Sequence, residues 1–381
     1  MITIEQEELI YSARGERFPI ENPLPTLYFE NKAYGVDRFE IRGESTLNYR
    51  RKSFSVNLDD NIVLFVEPEN RAREFEEFKL ISLVHDYTYI ENCIAIGLFH
   101  EIALWPTYSI YIEVKLNNNT QGLYLFIEDP VEHYLYQQNA DFVLRRNYNH
   151  WVESYYINEI QAENTSQYYL DRFNSIYSCI AEYEGQTLYD TLMNVLDLPQ
   201  YFTKIAIDLL LKNGDYTDEI YFYSKHTGDK DIFGIHPWDY DDLFAELPHE
   251  IGRNWGVGTV FGTRVYNSMD DVIADVGLKL LFSIEDDLDY KIAVDDYLYQ
   301  QYLVVLEEVM TIIDDSVIEA IIQSTKDQLQ PFYNNDAIVA QSQYDRDETN
   351  QQLFDSNLAE KRQFLLDRRA WIVEELSNQK K

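Results

Sequence analysis

Two acid-bearing segments of the sequence could support metal-dependent or proton-transfer chemistry. Asn213–Asp215 follows a strongly apolar helical pattern, and Pro237–Asp241 follows an apolar strand pattern. Each segment therefore presents a carboxylate at the end of a rigid element. Mg²⁺ is usually bound through one or two carboxylates together with phosphate oxygens, which makes Asp215 and Asp239 a candidate metal site. In a chain with 67 acidic residues, a solvated acidic turn is the alternative interpretation of the same spacing.

Four cations lie close together in the first part of this acidic chain: Arg42, Arg50, Arg51 and Lys52. The alternation of apolar and polar residues that follows predicts a half-buried strand beginning at Lys52. A strand-borne lysine that reaches into a cleft is a suitable point charge for nucleotide phosphates. Neutralisation of neighbouring surface carboxylates is the alternative role for this cluster.

Composition and charge exclude several classes of function. The 31 Lys and Arg residues face 67 Asp and Glu residues, for a net charge of −36, so we expect neither nucleic acid nor a membrane among the partners. The signatures GxGxxG, GxxxxGK[ST], GxSxG, HExxH and HRD are missing, which removes the standard dinucleotide, P-loop, serine-hydrolase and zincin interpretations. The two cysteines, Cys93 and Cys179, form no CxxC pair, so a thiolate zinc site is not expected.

The N-terminal residues and the lengths of the apolar stretches indicate the cellular compartment. The first residues lack the positive and apolar regions of a signal peptide, and no stretch approaches 18 uninterrupted apolar residues. We therefore expect a cytoplasmic protein in a reducing compartment. The oligomeric state is left open.

Hydrophobic periodicity predicts a β-rich first part and a mainly helical second part. Strand patterns cover residues 23–30, 37–42, 52–58, 109–116 and 122–128, with one helical pattern at 89–104. Further on, helical patterns cover residues 131–138, 168–183, 201–212, 271–284, 287–313, 316–328 and 353–376, and strand patterns cover 220–224 and 232–236. Residues 1–130 and 131–381 are therefore predicted to form a β-rich lobe and a mainly helical lobe.

These segments together resemble the spore-coat protein H (CotH) kinase family. The matching residues are Arg42-Gly43, Lys52–Phe54, the turn and strand at Asn117–Glu128, Asn213 with Asp215, and Pro237–Asp241. The Pro-Trp-Asp-x-Asp element is the most specific of them. The resemblance implies an α+β fold of the bilobal, atypical protein-kinase-like type.

The resemblance further implies transfer of the ATP γ-phosphate, with Mg²⁺ or Mn²⁺, to Ser or Thr of a protein partner. That partner is expected to be basic, given the charge of the chain. By motif position, Asp215 resembles the catalytic acid that orients or deprotonates the acceptor hydroxyl. Asp239 resembles the metal-binding aspartate, with Asp241 as a second ligand.

Four further positions take their roles from the same resemblance. Lys52 resembles the phosphate-contacting lysine, and Arg42 resembles a supporting cation beside it. Glu128 and Trp238 match motif positions and are assigned to nucleotide binding.

The sequence departs from the family pattern at two places. The family carries an Asn about five residues after its catalytic Asp, whereas residues 215–220 contain none. Glu219 or Asp218 takes that place, and Glu219 is assigned as a metal ligand. Where the family has an Arg-Asn pair, this chain has Glu91-Asn92, which leaves open whether Glu91 pairs with Lys52 or is exposed.

Two other functions fit the same residues. One is a different ATP-using transfer on the same fold, either AMPylation or glutamylation. The other is a catalytically weak pseudokinase or scaffold, suggested by the missing Asn. The chemical group that reaches the acceptor distinguishes these alternatives.

Overall fold

A computed structural model shows a protein of mixed α and β structure. It describes residues 1–5, 18–19, 24–43, 47, 49–66, 71–86, 88–146, 152–156, 159–217, 220–228, 230–253, 256–342 and 351–379. The N-terminal region is rich in strands and the C-terminal region is mainly helical, which confirms the α+β class. The predicted lobes over residues 1–130 and 131–381 stay a prediction.

The chain divides into two compact units, each assembled from three stretches of sequence. The first unit contains Met1–Ile90, Thr107–His133 and Ile322–Glu360. The second unit contains Glu91–Pro106, Tyr134–Ile321 and Lys361–Lys381.

A nine-stranded sheet lies in the first unit. Its strands are β1 (Ile2–Glu5), β2 (Phe18–Pro19), β3 (Thr26–Phe29), β4 (Lys32–Tyr34), β5 (Val36–Arg42), β6 (Ser53–Val66), β7 (Arg71–Ile81), β8 (Ser109–Leu116) and β9 (Asn119–Glu128). Their order across the sheet is β2-β5-β6-β7-β9-β8-β1-β3-β4. Strands β1 and β8 run parallel, and the other neighbouring pairs are antiparallel.

Alternation along β6 builds the core of this sheet, as its sequence predicts. Phe54, Val56 and Leu58 are buried on one face, and the Phe54 ring packs 4.9 Å from that of Phe39. The predicted β8–β9 hairpin is confirmed, and it turns at Asn117 and Asn118, whose φ angles are 48° and 64°. Asparagine tolerates this left-handed backbone better than most residues, which favours a tight turn here.

Helices dominate the later part of the chain. They are α1 (Ile90–Glu101), α2 (Pro130–Glu132), α3 (Glu159–Glu182), α4 (Gly185–Leu192), α5 (Leu198–Leu211), α6 (Met269–Val276), α7 (Asp287–Val294), α8 (Asp296–Ile312), α9 (Asp315–Tyr333), α10 (Asp336–Ser342) and α11 (Gln351–Gln379). A short π-helical segment, His133–Gln137, follows α2.

A second sheet lies in the second unit. Its strands are β10 (Phe142–Arg146), β11 (Val152–Tyr156), β12 (Ile220–Thr227) and β13 (Lys230–Pro237), in the order β11-β10-β12-β13. The antiparallel β12–β13 pair confirms the two strand patterns predicted at 220–224 and 232–236. Strands β10 and β11 were not predicted.

Two predicted helices are wrong in extent. The helix expected at 271–284 ends at Val276, because Gly277 adopts φ 77° and terminates the hydrogen-bonded spiral. The continuous helix expected at 287–313 is broken at Asp295, whose carboxylate caps α8 by accepting from the amides of Tyr297 and Leu298. Periodicity continues through such a break because both helices bury the same kinds of side chain.

The described helices differ in length and in apolar content. None of them is long and apolar enough to cross a membrane.

Candidate active site

The loop that carries Asp215 is positioned by helix α5. This helix is buried on nearly all sides and begins at Asp197, whose carboxylate accepts from the Gln200 amide. It ends at Lys212, whose φ of 52° turns the chain out of the helix. Asn213 follows with no exposed surface, and its backbone N–H donates to the Asp208 carbonyl over 3.2 Å. The chain direction into Asp215 is therefore set by the end of α5.

The loop that carries Asp239 and Asp241 follows strand β13. Trp238 is 2% exposed and packs edge-to-face on Tyr221 at 5.6 Å, which fixes the start of this loop. Asp239 adopts φ 54°, a left-handed conformation uncommon for a residue other than glycine. Strained backbone of this kind often occurs at functional sites. Both Asp239 and Asp241 are half-buried.

Asp208, inside α5, ties the two loops together. Its Oδ1 accepts from Asn213 Nδ2 over 3.4 Å and from the Tyr240 hydroxyl over 3.0 Å. Its Oδ2 pairs with Lys204 Nζ at 2.8 Å, one turn earlier, and both side chains are buried. Sequence analysis missed this pair, although a Lys and an Asp four residues apart within an apolar helix are the signal that could have identified it.

Backbone hydrogen bonds join the segment around Asp215 to the segment after Asp241. The Gly214 amide donates to the Asp242 carbonyl over 2.8 Å, and the Phe244 amide donates to the Leu211 carbonyl over 2.8 Å. A Cβ at Gly214 would clash with the Asp242 carboxylate and lie 2.9 Å from the Ala245 Cβ. Only glycine allows this approach. The structure thus brings two of the sequence-predicted segments together.

His249 faces both segments. Its Nδ1 lies 3.7 Å from Asp215 Oδ1, and its Nε2 contacts Asp242 Oδ2. The carboxylate of Asp215 and then that of Asp242 raise the pKa of His249 to about 10, against the opposing effect of burial. His249 is therefore an imidazolium at neutral pH. Sequence analysis missed it, because no local spacing connects this histidine to either aspartate.

Buried groups support the chain immediately after Asp215. The Thr217 carbonyl accepts from Arg146 Nε over 2.7 Å, and the Thr217 hydroxyl lies 3.4 Å from Glu285 Oε2. Glu285 also accepts from the Glu250 amide over 2.9 Å. Burial, together with the charges of Glu250 and Asp215, raises the pKa of Glu285 to about 7, despite hydrogen bonds that act in the opposite direction.

Glu91, left open by the sequence, has two partners in the second unit. Its Oε2 accepts from the Leu243 amide over 3.1 Å, and its Oε1 lies 3.6 Å from Lys361 Nζ. Glu91 is thus partly buried and holds the chain just after Asp241. Through this contact, the first turn of α1 stabilises the loop that carries the predicted metal ligands.

The cations clustered in the first unit have different contacts and therefore different roles. Arg51 is 3% exposed and donates to the Gln121 carbonyl, the Leu123 carbonyl and the Tyr89 hydroxyl, so it is a structural residue of the sheet. Lys52 is half-buried, and its Nζ donates to the Leu47 carbonyl.

Arg42 ends β5 directly opposite Ser53 on β6, and it is half-buried. Arg42 and Lys52 therefore flank the same pair of strand ends. Their phosphate-contacting roles stay predictions.

Glu128 is held by other protein groups. It is 1% exposed, accepts from the Tyr108 amide over 2.8 Å, and lies 3.2 Å from His133 Nδ1 and 3.6 Å from Arg73. Burial alone would raise the pKa of Glu128, but these three neighbours lower it. The nucleotide-binding roles assigned to Glu128 and Trp238 stay predictions.

The donor atoms of the predicted metal ligands are suited to a divalent cation. Asp239 and Asp241 are two half-buried carboxylates on one loop, a donor set that fits Mg²⁺ when phosphate oxygens complete its shell. Glu219 lies outside the described residues. Within the part of the chain that the structure describes, no group of three or more His, Cys, Asp or Glu could hold a metal ion by itself.

Comparison with known proteins gave one family. The family model described as CotH kinase protein matches residues 39–372. A search of curated proteins gave no match. The match covers both the cation cluster at Arg42 and Lys52 and the loops that carry Asp215 and Asp239.

Proposed function

The chain belongs to the CotH kinase protein family, and from that premise we propose that it transfers the γ-phosphate of ATP to a Ser or Thr hydroxyl of a protein partner. One observation carries this proposal. The Asp215 loop is fastened by backbone hydrogen bonds to the chain that follows Asp241, and Asp208 anchors both loops. Phosphoryl transfer depends mainly on positioning and charge neutralisation, which such a rigid arrangement of carboxylates supports.

In this proposal Asp215 carries out the proton chemistry. Its carboxylate orients the acceptor hydroxyl and takes up the hydroxyl proton as the new oxygen–phosphorus bond forms. The bond between the γ-phosphorus and its bridging oxygen breaks at the same time, and ADP leaves. Asp215 is about one-third exposed, which leaves its carboxylate accessible to an acceptor.

Charge neutralisation is assigned to the remaining sequence-predicted residues. Asp239 and Asp241 would hold a divalent metal, Mg²⁺ or Mn²⁺, which supplies positive charge to the phosphate oxygens when bound. Lys52 and Arg42 would contact the phosphates, and Glu128 and Trp238 would line the nucleotide site. The proposal includes a bilobal, atypical kinase-like fold and a basic partner in the cytoplasm.

Labelled ATP tests the proposal directly. The purified protein is incubated with γ-labelled or α-labelled ATP, Mg²⁺ or Mn²⁺, and a basic acceptor peptide rich in Ser and Thr. We expect γ-label on the acceptor with the wild type, and none with Asp215→Asn or Asp239→Asn. Asp231→Asn is the matched control, because Asp231 lies near the start of β13, at the turn of the same hairpin, and contacts His226 instead.

The other outcomes separate the alternatives. Transfer of the α-label would indicate AMPylation, and release of AMP without label on the acceptor would indicate glutamylation through an adenylated intermediate. Undiminished γ-transfer by Asp215→Asn would contradict the role of Asp215. ATP binding measured by calorimetry, without any turnover, would support the pseudokinase.

A further inference from the structure

His249 is anchored to the same loop as the acid that it faces. Its backbone amide donates to the Gly214 carbonyl over 2.9 Å, next to Asp215. Its Nδ1 lies 3.7 Å from Asp215 Oδ1, and its Nε2 contacts Asp242. The ring is thus fixed from its own backbone and between two carboxylates.

The two contacts require a particular form of the ring. A neutral imidazole has one N–H and one lone pair, so one of its nitrogens would face a carboxylate lone pair to lone pair. The imidazolium presents an N–H and positive charge to both carboxylates, in close contact with Asp242 and in an ion pair with Asp215 at 3.7 Å. Glu250 and Arg253 are further charged groups near the ring. Burial raises the pKa of Glu250, the charges of Arg253 and His249 oppose that rise, and the charge of Asp215 adds to it.

We propose that His249 is a positioning residue for phosphoryl transfer, which fixes the orientation of the Asp215 carboxylate by bridging it to Asp242. This inference rests on the proposed function. The bridge has two effects. It restricts rotation of the Asp215 side chain, and it places a positive charge between carboxylates that would otherwise repel one another and the incoming γ-phosphate.

Loss of the contacts between His249 and the two aspartates should change kcat and KM differently. Asp215 would remain in place but sample other rotamers, so the chemical step would slow while ATP could still bind. Misplacement of a reacting group by about 1 Å costs about 100-fold in rate. We therefore expect His249→Gln to lower kcat by about 10- to 100-fold with a much smaller change in the KM for ATP.

A matched control lies elsewhere in the same unit. His226 also touches two aspartates, with Nε2 3.2 Å from Asp141 and Nδ1 2.6 Å from Asp231, but none of these is assigned to the reaction. His226→Gln removes a similar histidine bridge and should leave kcat unchanged. Equal kcat values for His249→Gln and His226→Gln, with Asp215→Asn inactive, would overturn the inference and leave the proposed function standing.

A spectroscopic measurement tests the bridge without turnover. In NMR spectra of histidine-labelled protein, we expect the His249 ring to stay doubly protonated at pH 8, and Asp215→Asn and Asp242→Asn each to lower its pKa. A His249 ring that titrates near 6.5 in the wild type and does not respond to either substitution would overturn the inference. If the bridge is present but no γ-label is transferred under any condition, the proposed function fails, and the positioning role fails with it.

Discussion

Glu285 is the residue at which we expect the chain around Asp215 to respond to pH. Its pKa is raised from 4.5 to about 7, so the folded protein favours the protonated carboxyl. Stability from this group is fully present below pH 4.5 and is lost as the pH rises through 7. The loss is on the order of 3 kcal/mol, because each pKa unit corresponds to about 1.4 kcal/mol.

Glu285→Gln isolates this effect, since glutamine imitates the neutral side chain. We expect the free energy of unfolding of the variant to decline less than that of the wild type between pH 4.5 and 7. Urea unfolding at a series of pH values measures the difference. Glu308→Gln, on the exposed face of α8, is the control. Its free energy of unfolding should change with pH as that of the wild type does. Parallel curves for Glu285→Gln as well would contradict the prediction.

At the residue scale, sequence analysis identified chemical types better than environments. Asp215, Asp239 and Lys52 were selected as charged residues at the ends of apolar elements. The same reasoning could not separate Lys52 from Arg51, which donates to the Gln121 and Leu123 carbonyls of β9 and to the Tyr89 hydroxyl, because both are cations at adjacent positions just before β6. Burial decides between these roles, and burial depends on strands that are distant in sequence.

Among the elements of the site, Gly214 is a point of close contact between the loop that carries Asp215 and the chain after Asp241. A methyl group at this position would clash with the Asp242 carboxylate and crowd the Ala245 Cβ. Gly214→Ala should therefore displace the loop that carries Asp215 from the chain after Asp241. We expect a loss of about 1 to 3 kcal/mol in the free energy of unfolding and at least a tenfold lower transfer rate.

Thermal unfolding and the labelled-ATP assay measure the two effects. Gly228→Ala, in the β12–β13 turn, is the control. Its φ of 65° makes alanine strained, but no atom lies within 4 Å of the added methyl group, so stability should fall by about 1 kcal/mol with activity unchanged. A Gly214→Ala variant with wild-type activity would show that this close approach does not position Asp215.

Periodicity predicted most elements and misplaced some of their ends. The hairpins β8–β9 and β12–β13 and the helices around α5, α9 and α11 agree with their patterns. Strands β1, β2, β4, β7, β10 and β11 and helices α4 and α10 were not predicted. Helix ends were misplaced where one residue changes the backbone, such as Gly277 after α6 and Asp295 before α8. Asp295 both caps α8 and accepts from the Gly185 amide over 2.7 Å, a contact between residues 110 positions apart that no local pattern contains.

At the scale of the whole molecule, the net charge of −36 predicts how a partner is recognised. Such a field attracts cationic acceptors over distances of about 10 Å at 0.1 M salt, and added salt screens it. We expect the KM for a basic Ser/Thr peptide to rise severalfold, by about 3- to 10-fold, between 0.05 M and 0.5 M salt.

Steady-state kinetics at several salt concentrations check this expectation. A neutral peptide with the same residues around its acceptor hydroxyl is the control, and its KM should change little. An equal salt dependence for both peptides would show that the charge of the chain does not select the acceptor.

The fold class and the family of this protein follow from its sequence alone. Alternation and helical periodicity depend on neighbouring residues, so the α+β class and most elements could be derived from them. The Pro-Trp-Asp-x-Asp element, with Asp215 and Lys52, carried the resemblance to the CotH kinase family, which the family match over residues 39–372 confirms. The negative charge likewise follows from composition alone.

Only the tertiary structure decided which residues support Asp215. His249, Asp208, Glu285 and Glu91 come from separate parts of the chain, and apart from the i,i+4 pair of Asp208 with Lys204 their contacts carry no local signal. Their roles arise from hydrogen bonds and ion pairs between segments that folding brings together; contacts with Asp215 and Asp242 raise the pKa of His249, and burial raises that of Glu285. Contacts of this kind join residues that are distant in sequence, so residue type and spacing along the chain do not predict them.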